Sequence, residues 1–120
     1  SGSAFRWQGR ADLVINSGGH KISIDALERL FNSQLIENQV FICGLESNVL
    51  GEECVMLVDY AQFDLADFDK VKVGMHKYEI PKKLVFLKVF PMLENGKIDR
   101  VKLKLLAAEA IGNGAFQNIS

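Results

Sequence analysis

The chain has 120 residues, 14 basic against 15 acidic, and a formal net charge of -1 at pH 7. That length makes one domain with a single core and no need of covalent staples. The near-neutral balance argues against a nucleic-acid binder, which needs a basic stripe, and no apolar run approaches the ~18 residues that would span a bilayer.

The first residues, Ser1-Gly2-Ser3, read as a cloning scar or linker over 1–4, and the chain is expected to be cut from something larger. No signal-peptide pattern is visible, so the cytoplasm is the expected compartment. Leu13 to Ile15 read as a short strand, Ser17-Gly18-Gly19 as a turn, and Lys21-Ile22 as the return strand of a small hairpin. Ser23 then caps a helix whose apolar face carries Leu27, Leu30 and Phe31, with Ile22 and Leu27 placed to staple across the cap. Gln39 to Gly44 is a strand, Leu45 to Glu52 a loop, and Glu53 to Tyr60 a second strand. Its unbroken run Cys54-Val55-Met56-Leu57-Val58 predicts burial on both faces. A second helix starts at Asp64 or Leu65 and turns Phe68, Val71 and Met75 inward, with Gly74 weakening its end.

Tyr78 to Lys83 is a corner, because Pro81 lacks a ladder donor and restricts Ile80. Leu84 to Val89 is the third long strand. Leu93-Glu94-Asn95-Gly96-Lys97 is a tight turn, since Asn and Gly both accept positive φ cheaply. Asp99 caps a last helix running to about Ala110, with Val101, Leu105 and Ala108 as its apolar stripe and Lys102 and Lys104 toward solvent. The tail over 112–120 is expected to fray. The sum is an α+β domain: a three-stranded sheet packed by helices, plus an N-terminal two-stranded hairpin. Phe31, Phe41, Met56, Phe68 and Phe86 are expected in the core. The two cysteines, Cys43 and Cys54, sit in apolar segments and read as buried free thiols of a reducing compartment. His20, a loop residue beside the glycine turn, and His76, a surface residue before the corner, lack ligand spacing with them, so no metal site is expected.

Two segments carry chemistry. Lys97 is a long cation held out from a stiff base, though a lysine on an exposed turn is most often merely solvated. Gly18-Gly19 leaves bare backbone that a thin ligand or another chain can approach, though paired glycines in a hairpin are most often only a turn. Together, Gly9-Arg10-Ala11-Asp12 with Ser17-Gly18-Gly19-His20-Lys21-Ile22, followed by Asn95-Gly96-Lys97-Ile98-Asp99-Arg100, resemble the small C-terminal domain of the adenylate-forming (AMP-binding) enzymes. That superfamily includes acyl-CoA synthetases, adenylation domains of nonribosomal peptide synthetases, and luciferases. The resemblance covers Trp7 to about Leu106. The stretches Phe5 to Arg10 and Val14 to Gly19 are most similar to o-succinylbenzoate–CoA ligases of menaquinone synthesis.

The resemblance implies that 5–111 is the mobile C-terminal domain of an acyl-CoA ligase. A carboxylate attacks the α-phosphate of ATP to give an acyl-adenylate and pyrophosphate; the thiol of coenzyme A then displaces AMP. By position, Lys97 is implied to be the catalytic cation of the first step. Arg10 would contact the ribose hydroxyls, Asp12 would be the hinge, and Gly18 and Gly19 would line the pantetheine tunnel. Lys21 stands where many relatives have arginine, keeping a cation for phosphate but losing the fork; Leu13 stands where many have a second acid. Like charges must approach in the first step, and a positioned ammonium offsets that repulsion. ATP or AMP, coenzyme A and Mg²⁺ are implied for the full-length enzyme, and none is expected on this domain alone. No phosphate loop or adenine-binding segment is present in the sequence, so an N-terminal adenylation domain is the implied partner and these residues alone should catalyse neither half-reaction. Two alternatives stay open: an adenylation domain that loads a carrier protein, and a non-catalytic stand-alone interaction module.

Overall fold

The computed structural model describes residues 13–35, 39–48, 51–59 and 65–119. Arg10, Asp12 and the 1–4 linker therefore lie outside the described residues, as do Tyr60 and Asp64.

Strands β1 (Val14–Ser17) and β2 (His20–Ser23) form the expected hairpin, closed by the pair Ser17↔His20. The two-residue loop has both glycines left-handed, Gly18 at φ 58 and Gly19 at φ 85, which is the twist that a tight antiparallel hairpin demands. His20 is thus a paired strand residue, not a loop residue. Ile15 and Ile22 face each other across the ladder and are fully buried. Helix α1 (Ile24–Gln34) follows at once, and the Ser23 side chain accepts the Ala26 N–H at 3.2 Å. Ile22 and Leu27 are both buried around that cap, consistent with the staple.

Strands β3 (Val40–Ser47) and β4 (Gly51–Asp59) pair antiparallel from Val40↔Val58 to Ser47↔Gly51. Both are longer than the sequence pattern suggests. Leu45, Glu46 and Ser47, expected in a loop, continue the ladder opposite Glu53, Glu52 and Gly51. The loss of a side chain at Gly44 breaks the apolar pattern without breaking the hydrogen bonding. Helix α2 (Leu65–Lys72) and a 3₁₀ turn (Lys77–Glu79) carry the chain over to β5 (Lys83–Leu87), which runs parallel to β4. The strand stops before Val89, which is 78% exposed.

Helix α3 (Arg100–Gly112) and β6 (Gln117–Asn118) complete the chain. The tail expected to fray is instead docked: β6 pairs with the edge of β5, the Ile119 N–H donates to the Lys82 carbonyl at 3.0 Å, and Ile119 is buried. Its two large apolar residues, Phe116 and Ile119, are each packed against a core. The central strands β3-β4-β5 are the expected three-stranded sheet, extended by β6 and joined to the hairpin through the pair Ser17↔Gly51.

The apolar run of β4 serves two cores, as its lack of alternation predicts. Cys54, Met56 and Val58 face one core with Ile15, Phe31 and Phe68; Val55 and Leu57 face the other with Val85 and Leu103. Phe31, Met56 and Phe68 are fully buried, while Phe41 and Phe86 are partly buried against these clusters. The expected stripe of α3 is overturned. Val101 and Leu105 are 74% and 64% exposed and Ala108 is exposed, while Leu103 and Ala107 are buried. The helix carries two apolar stripes, and the one in line with Arg100 is the one that docks.

Candidate functional site

The lysine turn is built from local hydrogen bonds. The Gly96 N–H donates to the Leu93 carbonyl at 2.9 Å, and the Leu93 N–H donates to the Lys97 carbonyl at 2.7 Å. The Asn95 side chain accepts the Lys97 N–H at 3.0 Å, an Asx turn two residues long. Gly96 alone takes the left-handed conformation, at φ 84; Asn95 contributes its side chain and not positive φ. Met92 pairs with Ile98 below the turn, and the Asp99 N–H donates to the Pro91 carbonyl at 2.8 Å. Asp99 then caps α3 by accepting the Lys102 N–H at 3.1 Å. From Met92 to Lys97 every residue is exposed, and Lys97 forms no ion pair among the described residues. The ammonium is thus held outward on a short ladder, free to meet a charge from elsewhere.

The glycine turn borders a different feature. Gly18 and His20 line an open cleft of about 530 Å³ together with Tyr78, Lys72, Lys77 and Lys82. The His20 ring stacks on Tyr78 at 3.9 Å with planes 9° apart, and His76 lies parallel to the same ring at 5.3 Å. Lys72 is tied to Asp69 at 3.1 Å and lies over Phe68. The cleft therefore combines bare backbone, a flat aromatic surface and three lysines, one of which, Lys72, is already paired with an acid. A Cβ built on Gly19 would meet nothing within 4 Å, so the glycine there is required by its backbone conformation.

Lys21 does not join this cleft. It pairs with Asn16 on the hairpin face opposite to that of Ile15, Ser17, His20 and Ile22. The cations that do line it, Lys72, Lys77 and Lys82, come from the end of α2, the 3₁₀ turn and the approach to β5. Their only sequence signal is three lysines five residues apart around the Tyr78–Pro81 corner. The two candidate features lie apart: Arg100, at the root of the lysine turn, lines a small pocket with Val14 and Ile24 at the open end of the hairpin, while Gly18-Gly19 closes its far end. Three residues of strand separate those ends, about 10 Å by strand rise.

The thiols are buried. Cys43 and Cys54 are free and face opposite cores, and burial pushes the Cys43 thiol up to about 12 and raises Cys54 as well. Among the described residues no group of three His, Cys, Asp or Glu could hold a metal, and no helix is long and apolar enough to cross a membrane.

No family model matches the chain. Over 102 residues it is 30% identical to the mitochondrial medium-chain acyl-CoA ligase ACSF2 of Homo sapiens, covering 80% of this chain and 16% of that protein. It is 31% identical over 104 residues to the D-alanine–D-alanyl carrier protein ligase of Bacillus licheniformis, covering 80% of this chain and 21% of that protein. Its fold matches the o-succinylbenzoate CoA synthetase of Bacillus subtilis, solved with an acyl-adenylate intermediate, at a TM-score of 0.69 and 25% identity over 79% of this chain and 20% of that one. The chain thus spans about a fifth or less of these proteins. Its relatives and structural neighbours are AMP-forming acyl-CoA and acid ligases, and its fold is that of their C-terminal domain.

Proposed function

We propose that this domain is the mobile lid of an AMP-forming acid–CoA ligase, which joins a carboxylic acid to coenzyme A at the expense of ATP. The observation that carries the reading is Lys97: an ammonium without an ion-pair partner among the described residues, on a turn closed by its own hydrogen bonds and standing clear of the core. In the first half-reaction the lysine enters the active site of the remaining polypeptide. There it offsets the repulsion between the attacking carboxylate and the polyphosphate, and stabilises the charge that develops at the α-phosphate. A flexible point charge suits that role.

In the second half-reaction the domain presents the hairpin instead. Gly18 and Gly19 leave room for the pantetheine arm, and Lys72, Lys77 and Lys82 supply charge for the phosphates of coenzyme A, with Tyr78 as a flat surface beside them. ATP, Mg²⁺ and the acid are assigned to the rest of the polypeptide, the N-terminal adenylation domain. Arg10 and Asp12, as ribose contact and hinge, belong to the same reading. The cytoplasm suits the two free buried thiols.

For the acid we propose o-succinylbenzoate, on the stretches Phe5 to Arg10 and Val14 to Gly19 and the likeness to the Bacillus subtilis synthetase. The likeness to a D-alanyl carrier protein ligase favours a second reading, in which the acceptor thiol is on a carrier protein. Lys97→Ala in the ligase that carries this domain tests the assignment. Acid-dependent ATP–pyrophosphate exchange should fall about 10²–10³-fold, some 3–4 kcal/mol, while thioester formation from supplied acyl-adenylate stays within about twofold. Equal loss in both half-reactions would show the role to be wrong. Offering coenzyme A and carrier protein to the same adenylate separates the two acceptors.

A further inference from the structure

The sequence assigns no role to Glu28 or to Arg100, the last residue of the lysine motif, and the structure joins them. The Arg100 guanidinium donates to both carboxylate oxygens of Glu28, at 2.6 and 2.7 Å, in a two-pronged pair between α1 and the first residue of α3. Glu28 is buried, and its Oε2 also accepts the Ile42 N–H at 2.8 Å; Arg100 reaches the Ile42 carbonyl at 3.5 Å and lies 5.7 Å over the Phe41 ring. The pair therefore grips α1, the outer edge of β3 and the root of the lysine turn at once.

Capping the edge of β3 does not itself require charge. Two residues earlier the Asn32 amide does the same for Val40, accepting its N–H at 2.9 Å and donating to its carbonyl at 3.0 Å. A neutral side chain on the same helix suffices there. At Ile42 the acid adds one thing that the amide lacks, a second arm to another helix. Stability alone does not require it either, since Glu28 is buried and Arg100 half-buried, and replacing such a pair by apolar packing of the same volume is often neutral. What a forked pair supplies beyond apolar packing is direction.

Direction is what the lysine turn lacks. Its residues from Met92 to Lys97 are exposed and its ladder is one bridge long, so it can pivot on Asp99 unless the start of α3 is held. Arg100 is three residues beyond Lys97. We propose that Glu28 and Arg100 form a positioning clamp that fixes the root of the lysine turn to the sheet and so sets where Lys97 is presented. The clamp rests on the role given to Lys97 above. It acts through Lys97 and touches no substrate.

Two conservative variants test it in the ligase that carries the domain. Arg100→Lys keeps a cation and loses the fork; Glu28→Gln keeps an acceptor for Ile42 and loses the charge. Both should remain folded by thermal melting. A misplacement of about 1 Å can cost ~10²-fold, so kcat of adenylation should fall about 10- to 100-fold. KM for ATP and the rate of thioester formation from supplied adenylate should each stay within about twofold. A purely structural role would lower both half-reactions by one common factor, and that result, or an unchanged adenylation kcat in the folded variants, overturns the clamp. Amide exchange in the 120-residue chain gives an arm that needs no activity. The Leu93 and Asp99 N–H groups should exchange faster in Arg100→Lys while Val58 does not. If the parent shows no acid-dependent exchange of pyrophosphate, the proposed function fails, and the clamp stands or falls on those amides.

Discussion

Gly44 gives a sharp test of how the hairpin sits on the sheet. It lies in β3 opposite Cys54, is buried, and is not among the glycines with positive φ, so alanine meets no backbone strain there. In a strand interior Gly→Ala normally stabilises, by about 0.5–1 kcal/mol. Here the added methyl would stand 2.9 Å from Cγ1 and 3.2 Å from Cγ2 of Ile15, and 3.3 Å from Oε2 of Glu52. Glu52 can shift only by loosening its bond to the Asn16 N–H, and Ile15 is 0% exposed with only a small cavity of about 60 Å³ beside it. Overpacking of this kind costs about 1–3 kcal/mol, so Gly44→Ala should destabilise by about 1–2 kcal/mol net. The assay is urea unfolding, read as a fall in midpoint at constant slope. Ile15→Ala alone should cost about 2–5 kcal/mol. The double variant should lie at least about 0.5 kcal/mol above the additive sum, because the new methyl fills part of the space that Ile15 leaves. A Gly44→Ala chain as stable as the parent, or a strictly additive pair, would refute the packing argument.

The buried thiols make stability fall at alkaline pH. Cys43 is raised from 9.0 to about 12 and Cys54 is raised too, both by burial, so the folded state holds these protons after the unfolded chain has lost them. Their contribution is complete below pH 9.0 and is lost as pH climbs through the folded value, about 12 for Cys43. The slope approaches ~1.4 kcal/mol per pH unit for each thiol. Guanidinium unfolding between pH 8 and about 10 should show it, and Cys43→Ala should flatten it; the same slope in that variant would exclude Cys43 as a source. Ile119→Ala should destabilise by about 2 kcal/mol, the low end for a buried aliphatic, because the side chain sits at the rim of its core. Loss of protection at the Ile119 N–H should accompany it, and unchanged stability would mean that the tail does not dock.

How far the domain was legible in its sequence follows from the reach of each interaction. Ser23 and Asp99 were readable as caps because each accepts an N–H three residues on. The glycine hairpin and the lysine turn were readable for the same reason, their bonds closing within ten residues. The lysine-lined cleft was not: Lys72, Lys77 and Lys82 come from three segments, and only the parallel crossover from β4 to β5 brings them to Gly18. The docked tail was hidden too, since a segment rich in glycine and asparagine carries its burial in Phe116 and Ile119 alone.

The misread face of α3 and the overlooked ion pair have one origin. The helix offers two apolar stripes, Val101-Leu105-Ala108 and Leu103-Ala107, with nearly equal claims by hydrophobicity. Arg100, three residues before Leu103 and seven before Ala107, lies in line with the second. Counted as a solvated charge, it argues for the first stripe; counted as the partner of a buried acid, it argues for the second. Glu28 sits 72 positions away, so nothing near Arg100 reveals which count is right. Once the pair forms, the stripe in line with Arg100 must turn inward, and the root of the lysine turn is tied to the same contact. The orientation of α3 and the placement of the lysine turn therefore share one contact, and a variant that loosens it should disturb both.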